Sequence, residues 1–126
     1  MPEAGLEPVT ARESAALTRA TIRAAQKLGL KPRTLSRVIG LSEPTISRMN
    51  NSKFCLEHDS KQFELSVLFV RLYRSLDAIV SGDENVARAW RNNPNAPLGD
   101  KPINLIQNVS GLFNVIDYLD ARRARV

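Results

Sequence analysis

The stretch from Phe63 to Val80 limits the fold more than any other part of this chain. Leu65, Leu68, Phe69, Leu72, Leu76 and Ile79 fall on one stripe at helical spacing, and Phe63, Val67, Val70 and Tyr73 widen it onto other faces. A helix apolar on most of its sides is stable in water only when neighbours cover most of those sides. No apolar run approaches the ~20 residues of a membrane span, so the covering has to be protein. The chain therefore needs a central helix packed against its first third and its last third, with a second copy of itself as a further candidate cover.

Helical signals fill most of what surrounds that segment. Thr10 followed by Glu13 has the form of a capping box, and Gly29 suits the end of the helix so begun. Leu17, Ala20, Ala24 and Leu28 give that helix an apolar stripe. A short helix is expected from Pro32 to Ile39, and another from Glu43 to Asn50 with Ser42 as N-cap. Gly82 ends the central helix and Asp83 caps the next, which carries Val86, Ala87 and Trp90 and runs to Asn92. Pro94 and Pro97 make the stretch from Asn92 to Gly99 a loop. Pro102 then opens a short helix, and Leu112, Val115, Ile116 and Leu119 mark a last one from Asn108 to Arg122. The fold class is all-α: an N-terminal helix-turn-helix-like unit packed through a long central helix on a small C-terminal helical domain. The division expected is a flexible N-terminus over 1–10, the helix-turn-helix-like region over 11–60, and a C-terminal domain with a basic tail over 61–126.

Charge placement says more than the total of +5. From Ala11 to Lys53 nine basic side chains face only Glu13 and Glu43, a net of +7, and the last five residues add three arginines. A basic first third fits a polyanion such as nucleic acid, and it equally fits a solvated helix face. A single cysteine, Cys55, excludes an internal disulfide framework and fits a reducing cytoplasm. Only Cys55 and His58 could serve as soft or imidazole ligands, so neither a metal nor another cofactor is expected. Met1 to Thr10 lacks the basic and apolar regions of a secretory signal.

Leu35, Ser36, Ile39, Gly40, Leu41, Ile46 and Met49 are spaced as a helix-turn-helix requires. Leu35 and Ile39 bury the first helix, Gly40 makes the turn, Leu41 plugs it, and Ile46 and Met49 bury the second helix. Ser42, Glu43, Thr45, Ser47 and Arg48 then face outward at the start of the second helix, where bases and phosphates would be met. Glu43 is an anion near the expected phosphates, although a carboxylate can accept from cytosine N4. Pro44 removes one donor from the helix N-terminus. The same unit could also pack and dimerise without touching DNA.

The second half carries a longer signal: Ala87 and Trp90, Asn93-Pro94-Asn95, Leu98-Gly99, Pro102, Leu105, Gly111, Val115 and Leu119. Trp90 is a large anchor under a proline-rich loop, and a glycine inside a helix, as at Gly111, implies close approach of other backbone. As a set these residues resemble the C-terminal toxin-binding domain of the Xre/MbcA/ParS-type antitoxins, closest to the ParS branch. A helix-turn-helix precedes that domain in the family, so the resemblance covers about residues 30 to 122. It implies a cognate RES-domain toxin that consumes NAD by degrading it or by transferring ADP-ribose. It also implies a homodimer, repression of the pair's own promoter DNA, and an antitoxin C-terminus that enters the toxin's active-site cleft.

That implied role falls on Asp120 to Val126. Either Asp120 and the carboxylate of Val126 occupy an anion site there, or Arg122, Arg123 and Arg125 instead pair with acidic groups at the cleft mouth. The alternative is a frayed basic helix end, which the helix dipole also favours. Many relatives end in an aromatic-glycine sequence that Ala121 to Val126 replace here. An enzyme is the weakest reading, since the chain has one histidine, no Gly-rich phosphate loop and no nucleophile motif. The main rival is a stand-alone helix-turn-helix transcriptional regulator.

Overall fold

Helix α4 (Lys61–Ile79) runs through the middle of the structure and touches most of the other helices. The computed structural model describes residues 9–124, and among these the chain forms seven helices and no strand. Ser60 caps α4, its hydroxyl accepting from the Phe63 N–H at 3.1 Å. Phe69, Leu72 and Leu76 are sealed from water, each contributing about 1.5–3 kcal/mol by burial. Around α4 lie α1 (Val9–Leu28), α2 (Pro32–Ile39), α5 (Glu84–Asn92) and α7 (Val109–Arg123). Helix α3 (Glu43–Asn50) leans on α1 and α2, and the short α6 (Pro102–Leu105) joins α5 to α7. The described helices bear out the all-α fold with an N-terminal helix-turn-helix and a C-terminal helical part.

The first helix departs from expectation in two respects. It already includes Val9 and Thr10, so Thr10 is not its cap. The rest of the expected flexible segment, 1–8, lies outside the described residues. Glu13 instead approaches His58 at 3.5 Å. Of the expected stripe, Ala24 and Leu28 are buried, while Leu17 and Ala20 stay half-exposed and the buried face widens instead onto Ser14, Thr18, Thr21 and Ala25. Hydrogen bonding explains why hydroxyls occupy the interior. Thr21 donates to the Leu17 carbonyl at 2.8 Å. Thr18 donates to the Ser14 carbonyl at 2.6 Å and accepts the Leu56 N–H at 2.9 Å. The loop before α4 thus has a buried amide satisfied by α1 rather than left orphaned.

Helix α7 fits against α6 because Gly111 has no side chain. A Cβ there would lie 2.0 Å from the Leu105 carbonyl oxygen, and backbone cannot yield as a flexible side chain can. Asn108 fixes the same turn, its side-chain oxygen accepting the Gly111 N–H at 2.8 Å. Trp90 sits at the margin of the core, half-buried, rather than at its centre. Gly111→Ala should lower stability by at least about 2 kcal/mol, read as a reduced denaturant midpoint. Unfolding like the parent would mean that α6 can move away at no cost.

Candidate functional sites

Two places combine exposure with chemistry: the start of α3, and the end of α7 beside α4. In the first, Gly40 closes α2 at φ +76° and its N–H bonds the Ser36 carbonyl. The Ser36 hydroxyl donates to the Leu41 carbonyl across the turn. Ile46 and Met49 are buried beneath α3, which leaves Ser42, Glu43, Ser47 and Arg48 exposed and Thr45 half-buried.

Three of the five candidate residues on α3 form a chain. Ser42 accepts the Thr45 N–H at 3.3 Å, the two hydroxyls lie 2.8 Å apart, and Arg48 donates to the Thr45 oxygen at 3.0 Å. The guanidinium is therefore held along the outer face of α3, with further donors free for phosphate or a base edge. Glu43 and Pro44 occupy the first turn. Arg37 on α2 reaches Gln107 at 3.3 Å, which links this unit to the second half.

A second link was not foreseen from charge placement. The carbonyls at the end of α1 receive two arginines from α5. Arg88 donates to the carbonyls of Lys27 at 3.0 Å and Gln26 at 2.9 Å, while Arg91 donates to those of Leu28 and, at 3.4 Å, Gly29. Cations at a helix C-terminus satisfy orphan acceptors and meet the negative end of the dipole. Burial, then the Arg88 charge, lowers the pKa of Arg91 below its ordinary value. The pair at i and i+3 on α5, with Gly29 ending α1, was the signal available in the sequence.

At the other site, the residues expected to act together are differently engaged. Asp120 turns inward, accepting from Arg71 and, at 3.0 Å, from the buried Ser75 hydroxyl of α4. Its carboxylate therefore ties α7 to α4 instead of projecting as a free anion. Arg122 lies 5.6 Å from the centre of the Tyr118 ring and donates to its hydroxyl at 3.3 Å. Arg123 is exposed and shares a cleft with Arg71, Ser75, Asp120 and Ala124. Arg125 and Val126 lie outside the described residues. Among the described residues, no group of three or more histidines, cysteines or carboxylates is placed to hold a metal, and no helix is long and apolar enough to cross a membrane.

Asp120→Ala should cost about 1–3 kcal/mol, because the buried Ser75 hydroxyl loses its acceptor, whereas the exposed Arg71 partner adds little. Asp117→Ala, on the exposed face of the same helix, should stay within about 0.5 kcal/mol of the parent. Equal chemical denaturation midpoints for the two variants would contradict the inward role of Asp120.

Comparison with known proteins returns two family models. The antitoxin Xre-like helix-turn-helix domain matches residues 7–71, more than half of the chain. The antitoxin Xre/MbcA/ParS C-terminal toxin-binding domain matches residues 75–125. No curated protein matches the chain. Helix α4 spans the junction between the two matched stretches.

Proposed function

The chain belongs to the Xre/MbcA/ParS-type antitoxins, and from that premise we propose that it neutralises a RES-domain, NAD-consuming toxin by placing its C-terminal tail in the toxin's active-site cleft. On this reading it has no catalytic activity of its own, and it acts in the cytoplasm. The observation that carries the reading is the construction of the end of α7. Asp120 clamps the helix to α4, and immediately beyond it Arg122 and Arg123 stand at the surface, with Arg125 and Val126 to follow. A clamped stem with a cationic end suits insertion, because the stem needs no further ordering on binding. Guanidinium forks at 122, 123 and 125 match carboxylates at a cleft mouth.

The toxin partner has two copies of this chain to bind in the proposed assembly, since a helix-turn-helix reads paired half-sites as a dimer. The same dimer would repress the promoter of the pair through Ser42, Glu43, Thr45, Ser47 and Arg48 of α3. The hydroxyl chain that holds Arg48 in place also favours the second reading, a stand-alone transcriptional regulator.

Co-expression separates the two. Removing residues 122–126 should abolish protection of cells from the toxin encoded beside this chain, while thermal melting and promoter binding stay as in the parent. Full protection by the truncated chain would contradict insertion of the tail and leave the regulator reading. Arg48→Ala should weaken promoter binding by about 1–3 kcal/mol if the guanidinium meets a base edge, measured by fluorescence anisotropy at fixed salt. Unchanged promoter affinity would take Arg48 out of the DNA contact.

A further inference from the structure

The exposed side of α4 forms a furrow with two unlike ends. At one end Phe63, Val67 and Leu68 of α4 face Val109 and Phe113 of α7 around an open hollow of about 810 Å³. Val67, Val109 and Phe113 are three of the five large apolar side chains left exposed among the described residues, at 44%, 52% and 49%. At the other end Arg71 and Arg74 of α4 meet Arg123 of α7 across a cleft of about 320 Å³, whose far wall is Ala16, Leu17 and Ala20 of α1. Val67 lines both hollows, so the two ends adjoin at this residue.

The charges of this second end are unbalanced, whereas the apolar end carries Asp59, Lys61 and Glu64 at its rim. Arg71 has Asp120, but Arg74 and Arg123 make no ion pair or hydrogen bond among the described residues. Guanidinium groups gathered around one internal carboxylate leave a positive field that an acidic ligand would relieve. The apolar end argues against nucleic acid, because a phosphate backbone offers nothing to Val109 and Phe113. From Phe113 to Arg123 the helix rises about 15 Å at 1.5 Å per residue, a length that suits a protein segment better than a single nucleotide. The furrow also ends at Arg123, where the proposed inhibitory tail begins.

We infer that this furrow is a docking surface for the toxin, which seats an apolar side chain between Val67 and Phe113 and presents carboxylates to Arg74 and Arg123. The inference rests on the antitoxin reading and extends it. Residues 63, 67, 71 and 74 lie outside the stretch matched by the toxin-binding domain, and they would anchor the toxin independently of the tail.

The test is the affinity of the full-length chain for the purified toxin encoded beside it, measured by biolayer interferometry, with light scattering on each variant alone. Phe113→Asp and Arg74→Glu should each weaken binding by about tenfold or more, whereas Phe113→Leu and Arg74→Lys should stay near the parent. The Arg74→Glu loss should shrink at high salt. Both sites are exposed, and parent-like melting verifies that the variants fold. Parent-like affinity in both disruptive variants, with the parent itself binding tightly, would overturn the docking surface and spare the antitoxin reading. A change in the mass of the chain alone, with toxin affinity unchanged, would assign the furrow to a second copy and equally overturn it. No binding by the parent would overturn both.

Discussion

Burial of α4 is the constraint on which the rest of the structure depends. A helix apolar on several sides cannot be satisfied by one neighbour, and α1, α2, α5 and α7 each take a share of it. That arrangement makes the helix-turn-helix half and the C-terminal half two sides of one core. Phe69, Leu72 and Leu76, all sealed from water, belong to neither half alone. A change that loosens α7 should therefore be felt at α2 and α3.

The polar contacts reinforce this union. Arg88 and Arg91 of α5 close the C-terminus of α1, Lys27 pairs with Glu84 at 3.3 Å, and Arg37 meets Gln107. Most of these side chains are exposed, so each pair is worth little alone. Arg91 differs, because it is partly buried and its acceptors are carbonyls with no partner inside their own helix. The basic surplus of the sequence is thus divided. Some of it holds the two halves together, and what remains exposed on α3, on α4 and at the end of α7 is available to partners.

Local chemistry made much of this visible in the sequence, and tertiary contacts account for the remainder. Ser42 before α3 and Asp83 before α5 cap within their own turns, so α3 and α5 have the expected bounds, whereas α7 is shifted by one residue at each end because Asn108 caps it instead of opening it. Ala24 and Leu28 of α1 are buried as their spacing predicts, but Ser14, Thr18 and Thr21 join them, and being polar they carry no apolar signal. Their burial depends on local carbonyls and on Leu56, which only folding brings near. Charge counting could not separate Arg88 and Arg91 from solvated arginines, nor show that Asp120 is occupied by Arg71 and Ser75. The furrow was hidden for a related reason: Val67 and Phe113 look like core residues until the packing leaves them outside.

The proposed function gives these features a common purpose: a stem clamped at Asp120, a cationic tip beyond it, and a helix-turn-helix held to the same core. In the mechanism proposed, this chain shuts off the toxin's chemistry by occupying its active site. The most direct measurement titrates the purified chain into the purified toxin and follows NAD consumption. The account predicts that the rate falls linearly to zero at a fixed molar ratio, and that raising NAD slows the onset of inhibition. NAD consumption that continues undiminished at saturating antitoxin would contradict it.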